Sequence, residues 1–128
     1  MLATFSLLLA RFLGLGGFIS GIAWILSPAK YLTFYGLPQT HITPQTKTLC
    51  LALGARNSAS GLVILLVSFY ASRQLTGAVL VVFATACGVL DTVVCLVAGG
   101  EKWRETRWAG HLVNLGIFYT VFIMLVLS

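Results

Sequence analysis

The stretch TGAVLVVFATACGVLDTVVCLVA, from Thr76 to Ala98, decides the fold. It carries one charge, Asp91, and no proline. As a helix it is roughly 34 Å long, enough to cross the ~30 Å hydrocarbon core of a bilayer. Three further stretches read the same way, from about Thr4 to Leu26, Thr48 to Ala71 and Trp108 to Leu127. Between them lie breakers and turn residues. Ser27-Pro28 closes the first stretch, and a longer link holds Pro38, the polar run Gln39-Thr40-His41 and Pro44. Ser72-Arg73-Gln74 reads as a tight hairpin, and Gly99-Gly100 ends the third stretch before a charged run from Glu101 to Arg107. The expected fold is all-α: an integral membrane four-helix bundle forming one domain over residues 1–128.

Composition leads to the same place. Of 128 residues, 59% are hydrophobic and 9% charged, where a soluble domain has about a quarter charged. With a mean hydropathy of +0.98 there is too little polar surface to face water. A soluble four-helix bundle would need a polar stripe on each helix, and these stretches are apolar nearly all round. The net charge of +5 does not indicate nucleic acid, because the basic residues sit scattered at segment ends. The first stretch is long, is interrupted by Arg11 and lacks a small-x-small cleavage site, so it reads as a retained helix rather than a signal peptide. Cys50, Cys87 and Cys95 form no Cys-x-x-Cys pair and read as small packing residues.

With both termini on one side, the opposite side carries Lys30, Lys47, Lys102, Arg104 and Arg107. The positive-inside rule predicts that loops 28–47 and 99–107 are cytosolic. Trp24, Tyr31, Tyr35, Trp103 and Trp108 fall near that interface, where amphipathic rings settle. Arg11 lies near the other interface and is expected to snorkel there. His41 is expected to be solvated in its loop.

Ionisable groups inside a bilayer are costly and by default mark function. The second stretch holds Arg56, Asn57 and Ser60; the third holds Asp91, the chain's one aspartate; the fourth holds His111 and Asn114, one turn apart. At 1.5 Å per residue, Arg56 is roughly 12 Å from the cytosolic end, Asp91 roughly 10 Å, His111 roughly 5 Å and Asn114 roughly 9 Å. Three helices thus place polar groups in one layer. Ala84, Cys87, Gly88, Asp91 and Cys95 share one small, weakly polar face at helical spacing. Gly14, Gly17 and Gly21 form a ridge that permits close helix approach, with Ser20 and Trp24 beside it as candidate pocket residues. The expected site pairs Arg56 with Asp91 and surrounds them with Asn57, His111 and Asn114. Catalysis would fall to Asp91, His111, Arg56 and Asn57, and substrate contact to Asn114, Ser20, Trp24, Ser60 and Cys87. A structural alternative stands beside it: an internal ion pair that fixes helix register, with satisfied hydrogen bonders around it. His111 lacks the Cys, His and carboxylate spacing of a metal ligand.

The motifs Gly14-Leu15-Gly16, Ser27-Pro28, Tyr35-Gly36-Leu37-Pro38, Gly54-Ala55-Arg56-Asn57 with Gly61, Asp91, and Gly110-His111 run in order over nearly the whole chain. In these the chain resembles a family of small four-helix membrane proteins of unassigned function, found in bacteria and fungi. Some fungal members accompany polyketide or terpenoid biosynthesis enzymes. The resemblance marks Arg56, Asn57, Asp91 and His111, and it implies an endoplasmic reticulum location for a fungal member.

No nucleotide, flavin, haem or metal motif is present, so no cofactor is expected. The polar set suits acid–base chemistry on a lipophilic substrate held in the bilayer, with epoxide hydrolysis or epoxide-opening cyclisation the best match. Which of Asp91 and His111 is acid and which base stays open, as does homo-oligomerisation. Two other functions are set against it: a non-catalytic protein that binds a lipophile or organises partner enzymes, and a small transporter. The transporter is disfavoured because the other half of the last three helices is apolar.

Overall fold

The structure, a computed structural model, describes residues 2–35, 42–99 and 107–128. Pro38, the Gln39-Thr40-His41 run, and Lys102, Trp103 and Arg104 lie outside the described residues. The described elements are helical: α1 Leu2–Leu26, α2 Pro28–Tyr35, α3 Pro44–Tyr70, α4 Arg73–Phe83, a π-helical turn Ala84–Val89, α5 Leu90–Gly99, and α6 Trp108–Leu127. Helix α4, the π turn and α5 run on as one rod, so four rods are long and apolar enough to cross a membrane. Large side chains face outward along them, with Phe12 70% exposed and Val97 75%. In water that surface would be untenable; against lipid it requires no cover. The chain is a multi-pass helical membrane protein.

Two spans start earlier than their hydropathy indicates, and caps explain both. Thr43 accepts a hydrogen bond from the Thr46 amide, and Pro44 takes the first helical position, where a missing N–H costs nothing. Helix α3 therefore begins four residues before Thr48. Ser72 caps α4 by accepting from the Leu75 amide, so Arg73 and Gln74 belong to its first turn rather than to a hairpin loop. Helix α2 is an addition: eight residues of the first link fold back after Pro28. The π turn is another, inside the third span. The hydroxyls of Thr85 and Thr92 bond the carbonyls of Val81 and Gly88 at 2.7 Å each, tying the ladder on either side of it.

Helix α1 packs chiefly on α3, and α4 with the π turn packs on α6. The α1–α3 contact is the glycine ridge. A Cβ on Gly21 would lie 2.5 Å from the Gly54 carbonyl oxygen, and one on Gly54 would lie 2.7 Å from that of Gly21. Gly61 meets the Gly14 backbone in the same way. Side chains pack in two clusters. Ala10, Ile64, Leu80, Val121 and Leu125 join all four rods near the termini. Trp24, Leu32, Tyr35, Cys50 and Cys95 gather at the other end. Trp24 is 3% exposed and Tyr35 9%, so these two rings turn inward instead of forming an interfacial belt. Arg11 reaches the last turns of α3, where its Nη2 donates to the Ser68 carbonyl at 3.2 Å and its guanidinium lies 4.0 Å over the Phe69 ring. That end of α3 is the negative end of its dipole, a favourable place for a cation.

Candidate functional site

Between the two clusters lies a cavity of about 340 Å³. Its polar wall comes from all four rods: Ser20 from α1, Asn57 and Ser60 from α3, Asp91 from α5, and His111 and Asn114 from α6. Cys87 and Gly88 of the π turn complete that wall. Toward the termini it closes on apolar Ile64, Phe83 and Phe118.

The ion pair expected from the sequence forms. Arg56 Nη1 and Nη2 donate to Asp91 Oδ1 at 3.3 Å each, and Nη2 also to Oδ2 at 3.3 Å. The same guanidinium donates to Asn57 Oδ1, from Nε at 3.2 Å and from Nη2 at 3.0 Å. Asn57 therefore holds the fork that holds Asp91. Arg56 itself does not line the cavity. It stands behind Asp91 with 32% of its side chain exposed, against 15% for Asp91. Its geometry suits positioning and charge balance rather than contact with a ligand.

Trp24 also lies off the cavity. Its ring packs on Tyr31 and Tyr35, with centroids 5.9 Å and 5.4 Å away, so it props the site from behind. Ser20 and Ser60 do line it, but each donates its proton to its own helix, to Gly17 O at 2.9 Å and Asn57 O at 3.0 Å. They offer a ligand acceptor lone pairs.

The residue that sequence reasoning misplaced is Tyr35. It reads as an interfacial ring, but α2 folds it over the end of the bundle. Its hydroxyl lies near enough to Asp91 for the carboxylate to act on it. Its carbonyl accepts from His111 Nε2 at 3.2 Å and from Cys95 Sγ at 3.5 Å. Its ring lies 4.4 Å from the imidazole. Burial first, and then the neighbouring Asp91 carboxylate, push the phenol well above its ordinary range, so it stays neutral. Tyr35 thus lies beside both Asp91 and His111. The signal available in the sequence was the Tyr35-Gly36-Leu37-Pro38 motif, which sets Tyr35 apart from the other interfacial rings.

A four-rod membrane bundle with an ion pair, an imidazole and a phenol beside a part-polar, part-apolar cavity defines the class: a small polytopic membrane protein with an intramembrane polar site. Residues 14–125 match the family described as "Domain of unknown function (DUF4267)", and the chain belongs to that family. No curated protein and no solved structure matches it.

Proposed function

We propose that the protein is a cofactor-independent membrane enzyme that performs acid–base chemistry on a lipophilic substrate in this cavity. The supporting observation is that Asp91 and His111 both line a cavity whose far end is apolar. The reaction class that fits best is epoxide opening, by water or by a hydroxyl of the substrate itself. Asp91 takes the proton of the attacking O–H as its oxygen bonds to a ring carbon. That carbon's bond to the ring oxygen breaks, and the oxygen is protonated in turn. The product is a diol or a cyclic ether alcohol. A backbone carbonyl only accepts, so His111 carries its first proton on Nε2, toward Tyr35 O. Only the imidazolium has a further proton to give, from Nδ1. Arg56 is fully engaged with Asp91 and Asn57 and does not reach the cavity, so its role is to hold the carboxylate.

The family's fungal members suggest a natural-product pathway of polyketide or terpenoid type as the setting. An endoplasmic reticulum location, with loops 28–47 and 99–107 in the cytosol, belongs to the same proposal. The test uses the purified protein in nanodiscs with a lipophilic epoxide in ¹⁸O-water. A diol labelled in the first turnover, and lost in Asp91→Asn, is the expected result. Full turnover by a folded Asp91→Asn protein overturns the assignment. A second reading, a lipophile-binding protein without catalysis, is favoured by one observation: both serine hydroxyls and the Arg56 fork are satisfied within the protein. It predicts ligand capture with no product in the same assay.

A further inference from the structure

The polar cavity has an apolar extension. A second hollow, of about 440 Å³, follows the seam between α1 and α6, with Leu9 on one side and Gly116, Ile117 and Val121 on the other. Phe12 and Leu13 line both hollows, so the two adjoin. Thr120 also borders the seam, but its hydroxyl donates to Gly116 O at 2.9 Å and is satisfied on its own helix.

Glycines behave differently on the two sides of α1. On the α3 side they bring backbones together, and an added Cβ at Gly14, Gly21, Gly54 or Gly61 meets the opposing helix at 3.0 Å or less. On the α6 side they do not. A Cβ at Gly16, in the polar cavity, or at Gly116, in the seam, meets nothing within 4 Å. Glycine in a helix interior costs about 1 kcal/mol relative to alanine. At these two positions that cost is not offset by close packing, and its structural effect is to keep the seam open.

We infer that the two hollows form one track for a single-chain amphiphile, which enters sideways from the bilayer between α1 and α6. Its hydrogen-bonding head sits at Asp91 and His111, and its hydrocarbon tail lies in the seam past Phe12. This rests on the proposal that the cavity is a ligand site, and it adds the ligand's shape and route. From Ser20 to Leu9 along α1 is about 16 Å, and from His111 to Val121 along α6 about 15 Å. Bonds of 1.52 Å at 111° advance about 1.25 Å each, so the track holds a chain of about a dozen carbons.

The test uses 1-dodecanol carrying a diazirine either near the hydroxyl or near the far end, photolysed with the full chain in nanodiscs. The near probe is expected to label residues 84–91 and 111–115, and the far probe residues 9–13 and 116–121. Gly116→Leu adds a side chain to the seam from a Cβ position with nothing within 4 Å. Displacing about two methylenes from burial should weaken capture of the far probe about tenfold. The near form of 1-hexanol should label that variant as well as it labels the wild type. Even labelling of all lipid-facing surfaces by the far probe, or no change in Gly116→Leu, overturns the track. The same pattern from a diazirine dodecane also overturns it, since the seam would then hold bulk hydrocarbon without a head. Failure of the near probe to reach the cavity would instead overturn the ligand-site proposal on which the track rests.

Discussion

Adding one methyl group at Gly21 should destabilise the bundle, whereas the same change at Gly16, five residues earlier on the same helix, should not. A Cβ at Gly21 falls 2.5 Å from the Gly54 oxygen and also strikes the amide and hydroxyl of Ser58. Ordinary contact begins at 3.4 Å, so α1 and α3 must part by about 0.9 Å, and the atoms struck are mostly backbone that cannot rotate aside. A gap of that size forfeits a quarter to a half of each contact's ~0.1–0.2 kcal/mol, over tens of atom pairs along the ridge. Overpacking of this kind typically costs about 1–3 kcal/mol, against which alanine returns up to about 1 kcal/mol of helix propensity. Gly21→Ala should therefore lose about 1–2 kcal/mol, while Gly16→Ala gains up to about 1 kcal/mol because nothing lies within 4 Å of its Cβ. Reversible unfolding of the full chain in bicelles, followed by steric trapping, reads both values against wild type. Equal stability of the two variants would refute the claim that this ridge is the bundle's closest contact.

Tyr35→Phe keeps the ring and removes a buried hydroxyl beside Asp91, which should cost about 1 kcal/mol. Because burial and Asp91 raise the folded-state phenol above its unfolded value, this contribution is present below about pH 10 and lost as pH rises beyond it. Unfolding free energies of the wild type should fall in that alkaline window relative to the variant. Arg56→Gln breaks the ion pair and leaves Asp91, 15% exposed, without its counter-charge. Arg56 is itself a third exposed, so the loss is expected at about 1–3 kcal/mol rather than the 3–5 of a fully buried pair. Near-probe labelling of the cavity should persist in that variant under folding conditions, as Arg56 does not line it.

The parts of this fold that follow local chemistry were legible in the sequence. Span lengths follow from apolar runs, and the ridge at Gly14, Gly17 and Gly21 follows from small residues at helical spacing. The Arg56–Asp91 pair follows from two opposite charges at one depth, where the lipid offers neither another partner. Long-range placement was not legible. Nothing local says that residues 28–35 fold back, or that Trp24 and Tyr35 face inward, because amphipathic rings suit an interface and a buried mouth equally well. The π turn escapes notice for a related reason: Ala84–Val89 carries no proline or other breaker, and its irregular ladder is a response to packing. Arg56 was read as a cavity residue because depth does not fix the direction of a long side chain.

Tyr35 resolves part of what residue types alone leave open at the site. Its carbonyl bonds Cys95 of α5 and His111 of α6 and its ring packs on Trp24 of α1, so α2 cannot move without disturbing all three helices together. The carbonyl contact matters most for chemistry, because a backbone group does not titrate or rotate away. It holds the proton of the neutral ring on Nε2 and leaves Nδ1 as the ring nitrogen without one. With His111 neutral, the site holds two proton acceptors, the Asp91 carboxylate and Nδ1. With His111 charged, it presents an acceptor and a donor, the arrangement that opening a strained ether requires. The phenol, raised by burial, stays protonated in both states and does not compete as the acid. The proposed reaction therefore depends on one proton at His111 Nδ1, and the residue that sets which nitrogen carries it lies outside the four membrane spans.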